Sequence, residues 1–220
     1  MEPAGTALLP SFYLPPVEYF CKWIQHKKIL IEKHEHFRKQ TYRNRCYIAS
    51  PNRVLPLVIP VKHGRKQKQP IKDLRIANDS QWQKIHWKSL EAAYRSSPFF
   101  EYYEDDFAIH YRKKYDFLLD FNTDLLFLIL KFSGIPAEIT FTDSYVASYD
   151  ETTADWREGM HPKKENPKEN IFFSPVPYRQ VFGGSSGFIP NLSIVDLLFN
   201  KGNNTLKSLE ASGKFREDSL

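Results

Sequence analysis

Cysteine is scarce in this 220-residue chain, with only Cys21 and Cys46 present. Two thiols are too few for the bridged framework of a small secreted domain and fit free cysteines in a reducing compartment. Long hydrophobic runs are missing too. The longest, residues 125–130, is far short of the roughly 20 apolar residues that a membrane-spanning helix needs. The opening residues carry no basic segment ahead of an apolar one, so they do not read as a secretory signal. A soluble, cytoplasmic protein is expected. No internal repeat is present, and the glycines follow neither the P-loop nor the dinucleotide-binding spacing. Acidic residues are absent between Glu35 and Asp73, a window with ten Lys and Arg. It carries +10 in a chain of net +5, leaving −5 for the remainder. A positive field this concentrated points to an anionic partner and says nothing about reaction type.

What is present is enough for one substantial core. Hydrophobic residues make up 41% and aromatic residues 15% of the chain, including seventeen Phe and twelve Tyr, which suits pocket walls as well as interiors. The reading is one domain over residues 1–203, with a flexible surface loop at 150–170 and a polar tail at 204–220. An apolar run at residues 7–9, a helix opening after Pro16 and the β-branched run at 29–31 form a strand–helix–strand unit. Such units bind ligands beyond the carboxyl ends of their strands. Strands are then expected at 46–48 and 54–61, where Pro56 and Pro60 imply an edge position. A basic loop at 62–69 and a half-exposed strand at 71–76 follow. Helices are expected at about 80–95, 99–119 and 122–132, ending at Gly134, with a strand at 138–141. An apolar helix at 194–199 needs a large surface to cover it. The fold class is therefore α/β: an N-terminal mixed sheet of βαβ type, an aromatic-rich helical layer over residues 80–134, and a C-terminal helix packing back on it.

Residues 29–48 concentrate the candidate chemistry. On an extended strand Glu32, His34 and His36 share one face, a set suited to proton transfer more than to metal binding. Arg38, Lys39, Arg43, Asn44 and Arg45 combine guanidinium forks and an amide that match a phosphate or carboxylate. Ser11, Tyr13 and Tyr42 are expected to line the same pocket, with Arg38, Arg43, Arg45 and His34 turned toward it. His86, between Trp82 and Trp87, is a second candidate acid–base group. No metal site is assigned. The Gly183–Gly187 run reads as a turn.

Three separated blocks carry a resemblance. Tyr13-Leu14-Pro15-Pro16 with Tyr19-Phe20, then Lys39-Gln40-Thr41-Tyr42-Arg43-Asn44-Arg45, then Gly187-Phe188-Ile189-Pro190-Asn191-Leu192-Ser193 with Asp196-Leu197-Leu198, resemble the WbqC-like family over about residues 8–203. That family is associated with bacterial O-antigen and related envelope-polysaccharide loci. The resemblance implies a protein handling a phosphorylated or nucleotide-activated sugar, with transferase as the enzyme class it suggests and a nucleotide-sized or phosphorylated small molecule as partner. Many members have a histidine just before the Tyr, where this chain has Leu9-Pro10-Ser11, so His34 or His86 would take its role. The alternatives are a nucleic-acid-binding protein using the basic residues 38–72, disfavoured by the acidic remainder, and a non-catalytic scaffold of polysaccharide assembly. Cofactor and oligomeric state are not indicated by the sequence.

Overall fold

A computed structural model describes residues 5–62, 68–136, 138–162 and 173–213. Part of the expected basic loop at 62–69, the loop at 150–170 and the tail at 204–220 lies outside these residues. The chain begins with strand β1 (Thr6–Pro10), helix α1 (Val17–Trp23) and strand β2 (Lys28–Glu32). β1 and β2 pair in parallel with Pro10 opposite Glu32, the expected unit. A hairpin follows, β3 (Arg45–Ser50) and β4 (Arg53–Val58), forming a separate two-stranded antiparallel ribbon. β4 stops at Val58, short of the expected Val61, because Ile59 donates to the Asn44 carbonyl and Val61 bridges Ile76 instead.

Residues 71–76 do not form a strand. Ile71–Asp73 is one 3-10 turn, and Arg75 makes an isolated bridge to Phe117. The alternating apolar residues seat Ile71, Leu74 and Ile76 in the core without a ladder. Three helices then form the aromatic layer: α2 (Trp82–Tyr94), α3 (Phe100–Arg112) and α4 (Leu118–Ser133). The break between the last two comes earlier than expected, at 113–117. Backbone bonds from Ile76 to Asp116 and from Leu118 to Leu74 hold this stretch extended, and α4 takes in Asn122. Gly134 ends α4 at φ 67°, a left-handed conformation that glycine adopts without cost.

β5 (Ile139–Phe141) pairs in parallel with β2. β6 (Thr153–Asp155) pairs in parallel with β1 and completes a four-stranded sheet in the order β5-β2-β1-β6. The sequence reading had placed β6 inside a surface loop. Its three residues are too few for a periodic signal, yet Trp156 donates its backbone N–H to the Leu8 carbonyl and Met160 is buried. After a one-turn helix α5 (Gly183–Ser186) come α6 (Ile194–Lys201) and α7 (Thr205–Ser212). α7 corrects the reading of residues 205–212 as polar tail: Thr205, Leu209 and Ser212 are buried, and Cys21 of α1 meets the Leu209 carbonyl.

The C-terminal helix packs back as expected. Val17 donates to Leu192, Ile194 to Pro15 and Ser193 to Tyr47 through the backbone. Phe199 inserts among the rings of Tyr94, Phe100 and Phe107, with centroids 5.2 to 5.3 Å away. Ring contacts of this kind add about 0.5–1.5 kcal/mol each beyond burial, so α6 is welded to the helical layer as well as to α1.

Candidate functional site

The parallel strands point their carboxyl ends at one place, and the side chains there are charged and buried. Glu32, last in β2, is fully buried. It accepts from the His34 backbone N–H at 2.7 Å and from Thr142 Oγ1 at 2.9 Å, and lies 3.3 Å from Arg157 Nη1. Arg157 follows β6. Its guanidinium donates to both oxygens of Asp155 and to the carbonyls of Val146 and Ala147, with the Tyr145 ring 5.0 Å away. Beside it, Arg43 donates through Nε and Nη2 to the two oxygens of Glu35 and also reaches the Arg157 carbonyl.

A cleft of about 250 Å³ opens over this network, lined by Glu35, His36, Arg38, Tyr145, Asp155, Arg157 and Glu158, with Ala147. The position beyond strand ends is where open α/β sheets place ligands. Its electrostatics are mixed rather than purely cationic. Glu32, Glu35, Asp155 and Glu158 stand against Arg38, Arg43 and Arg157. Burial, helped by Glu32 and Glu158, raises the Glu35 carboxyl above the ordinary glutamate value, with the Arg43 fork opposing. Burial acts on Asp155 in the same sense, but bonds from Arg157 outweigh it and hold Asp155 below its ordinary value. Two carboxylates in one cleft are thus pushed in opposite directions, an arrangement that separates a proton-exchanging group from a permanently charged one.

Among the residues expected from sequence, Arg38 reaches the cleft rim, where it pairs with Glu158 at 2.5 Å with both side chains more than half exposed. Lys39 is exposed next to it. The turn carrying them is fixed by Thr41 Oγ1 on the Arg38 carbonyl and by Gln40 at φ 60°. Arg43, expected to meet a ligand phosphate, is 2% exposed and committed to Glu35, which lies eight residues earlier on the same wall. Asn44 closes the ribbon by donating to the Ile59 carbonyl. Arg45 donates to Tyr47 Oη at 3.3 Å and is half-buried on the ribbon, without a carboxylate partner among the described residues.

Ser11 is buried against Asn122 at 3.4 Å, and Tyr42 packs on Phe12 and Tyr47. Tyr13 and His86 lie in the core. The Tyr13 hydroxyl sits 3.0 Å from His86 Nδ1 and 2.8 Å from Tyr111 Oη, and desolvation lowers His86 to about 4. His34 Nε2 is buried without a hydrogen-bond partner among the described residues. The structure therefore does not bring the three arginines, Ser11, Tyr13 and His34 to one concave surface. Among the described residues, no three His, Cys, Asp or Glu side chains gather to hold a metal ion.

The site's missed members are Glu35, Tyr145, Asp155, Arg157 and Glu158. Glu35 had served only as the boundary of the basic window. Thr-Ala-Asp-Trp-Arg at 153–157 carried the available signal, because Trp156 is an aromatic in an otherwise polar segment with Asp and Arg at a spacing of two. Trp156 faces a second buried cluster. Lys22 Nζ lies 4.4 Å over its ring and 2.5 Å from Glu18 Oε1. Glu18 in turn exchanges two hydrogen bonds with Asn191, its backbone N–H to Oδ1 and its Oε2 from Nδ2. Here the Tyr13–Pro16 block meets the Asn191–Ser193 block, while Tyr42, from the middle block, accepts the Tyr13 N–H.

The family model of the WbqC-like protein family matches residues 11–161. An uncharacterized protein of Mycobacterium tuberculosis, Rv1507c, is 25% identical over 219 aligned residues, covering 89% of this chain and 93% of its own length. No solved structure matches the chain.

Proposed function

Because the chain belongs to the WbqC-like family, we propose that it binds a phosphorylated or nucleotide-activated sugar of bacterial envelope-polysaccharide synthesis in the cleft at the carboxyl ends of β1, β2 and β6. The observation that carries this reading is the pairing of a raised-pKa carboxyl, Glu35, with an exposed Arg38 and His36 in that cleft. Carboxylates accept hydrogen bonds from sugar hydroxyl or amino groups, and a guanidinium on the rim meets a phosphate. Ligand pockets usually run to about 300–1,000 Å³, so one of about 250 Å³ is sized for a single sugar ring. A nucleotide would lie outside it, over Arg38 and Lys39. Arg157 and Arg43 then act as positioning residues that hold Asp155 and Glu35 in place. Glu35 is suited to take a proton from a ligand hydroxyl or amine, the step a transferase needs.

The test is calorimetric titration with sugar nucleotides, sugar phosphates, nucleotides, inorganic phosphate and an oligonucleotide, at two salt concentrations. Sugar nucleotides or sugar phosphates should bind, and Arg38→Ala should weaken them by about 1.5–3 kcal/mol, the range for a charge-assisted hydrogen bond. Tight oligonucleotide binding with a steep salt slope, and none to the sugars, would replace this reading with the nucleic-acid one.

A further inference from the structure

On the face formed by the ribbon and α2, away from the cleft, an apolar groove of about 540 Å³ runs between Ser50, Leu55 and the exposed side of α2. Ile85 is 60% exposed and Leu55 37% exposed. Ile85, Ser89 and Ala92 fall at i, i+4 and i+7 along α2, a single stripe with small residues at its far end. Lys84 and Lys88 border it. α3 packs on the opposite flank of α2 and turns outward a second stripe, Tyr102 at 77% and Ile109 at 58% exposure, with the exposed acids Glu101 and Asp105 beside it. Lys84, Glu101 and Asp105 have no ion-pair partner among the described residues.

The groove thus has a cationic border and an apolar floor, and the molecule's own α3 has an apolar stripe flanked by acids. We infer that the protein forms a two-fold dimer in which α3 of each copy seats Tyr102 and Ile109 in the other's groove, with Lys84 facing Glu101 and Asp105. An isologous interface needs the same patch to carry both halves of the contact. α2, which walls the groove, packs directly against α3 through Trp87, Phe100 and Tyr111, so the two halves of the contact stand on neighbouring helices. The small Ser89 and Ala92 leave room in the groove for the partner's α3.

A helix fits here and an added strand does not. The Tyr47 carbonyl points away from β4, to Ser193 N–H, so Tyr47 and its partner Pro56 are a non-hydrogen-bonded pair. The ring nitrogen of Pro56 therefore occupies the free edge of β4, where a joining strand would require an N–H donor.

Sedimentation velocity on the full chain across a concentration range tests the proposal. A monomer–dimer equilibrium is expected. Lys84→Glu or Asp105→Lys alone should raise the dissociation constant at least about tenfold, since two-fold symmetry applies each change twice, and the double variant should recover most of it. Tyr102→Ala should weaken the dimer while leaving the thermal midpoint of the dilute monomer unchanged. A monomer at every concentration, a dimer indifferent to these changes, or single losses without rescue in the double variant would each overturn the pairing.

Discussion

Arg43 and Glu35 hold each other in surroundings where neither charge is stable alone, with side chains 2% and 5% exposed. Removing one member of such a buried pair costs about 3–5 kcal/mol because the other is left uncompensated. Arg43→Met should do this in a pH-dependent way. Glu35 already has a raised carboxyl in the folded protein, so the native state holds its proton more tightly than the unfolded chain does. Stability from this group therefore falls as pH rises from the ordinary glutamate value through the raised one. Without Arg43 the raise is larger, and the variant's deficit against wild type should be greatest at pH 8 and smaller at pH 5 in urea unfolding. A deficit equal at both would show that Glu35 does not carry the effect.

His86 works in the opposite sense. Desolvation, opposed only by a bond to the Val58 carbonyl, lowers it to about 4, so the unfolded chain binds its proton more tightly. Its contribution is complete above about pH 6.5 and is lost as pH falls through 4, a total of about 3 kcal/mol at 1.36 kcal/mol per unit. Unfolding curves at pH 7 and 4.5 should show this slope, and His86→Gln should lack it. A histidine between two tryptophans was legible in sequence as either pocket or core. What decides for core is Tyr13, 73 positions away, whose hydroxyl takes up Nδ1, a contact no local pattern carries.

Among the elements, those with a long local signal were readable. β1, α1 and β2 announce themselves through short aliphatic runs around a proline-started helix, and α2 to α4 through aromatic residues at helical spacing. β6 and α7 were not readable, since three residues and eight residues of mostly polar composition become ordered only by their partners, β1 for one and α1 for the other. The cleft shares that fate, because Asp155, Arg157 and Glu158 in its wall hang on β6. The join between α6 and α7 shows a tertiary demand on one residue. Gly202 sits at φ 53°, and a Cβ there would lie 2.5 Å from the Phe99 ring. Gly202→Ala meets both the left-handed penalty of about 1–2 kcal/mol and a clash with a ring itself packed beside Tyr102. A loss above about 2 kcal/mol is expected, measured as a lowered urea midpoint with an unchanged slope. Gly184→Ala, with nothing within 4 Å of its Cβ, is the control that should change little.

For the molecule as a whole, the question is whether the N-terminal sheet could stand without the C-terminal segment. The sheet's two flanks are closed by different parts of the chain, and the α1 side is closed from the far end of the sequence. Ile189, Leu192, Ile194, Val195, Leu197, Leu198, Phe199 and Leu209 are all buried, and Asp196 is buried among them, bonded to Tyr178 and Gln180. Each apolar side chain of this kind contributes about 1.5–3 kcal/mol by burial, so together they match or exceed the roughly 5–15 kcal/mol that a whole domain retains. Their removal would also expose Val17, Phe20 and Cys21 of α1 and leave Tyr94 and Phe100 without Phe199. A chain ending at residue 177 should therefore show no cooperative heat-absorption peak and little near-ultraviolet circular dichroism, even though it retains every residue that lines the cleft. A truncated chain that unfolds cooperatively would mean that the sheet and the helical layer are stable by themselves, and that the C-terminal block is an attachment rather than the third side of the core.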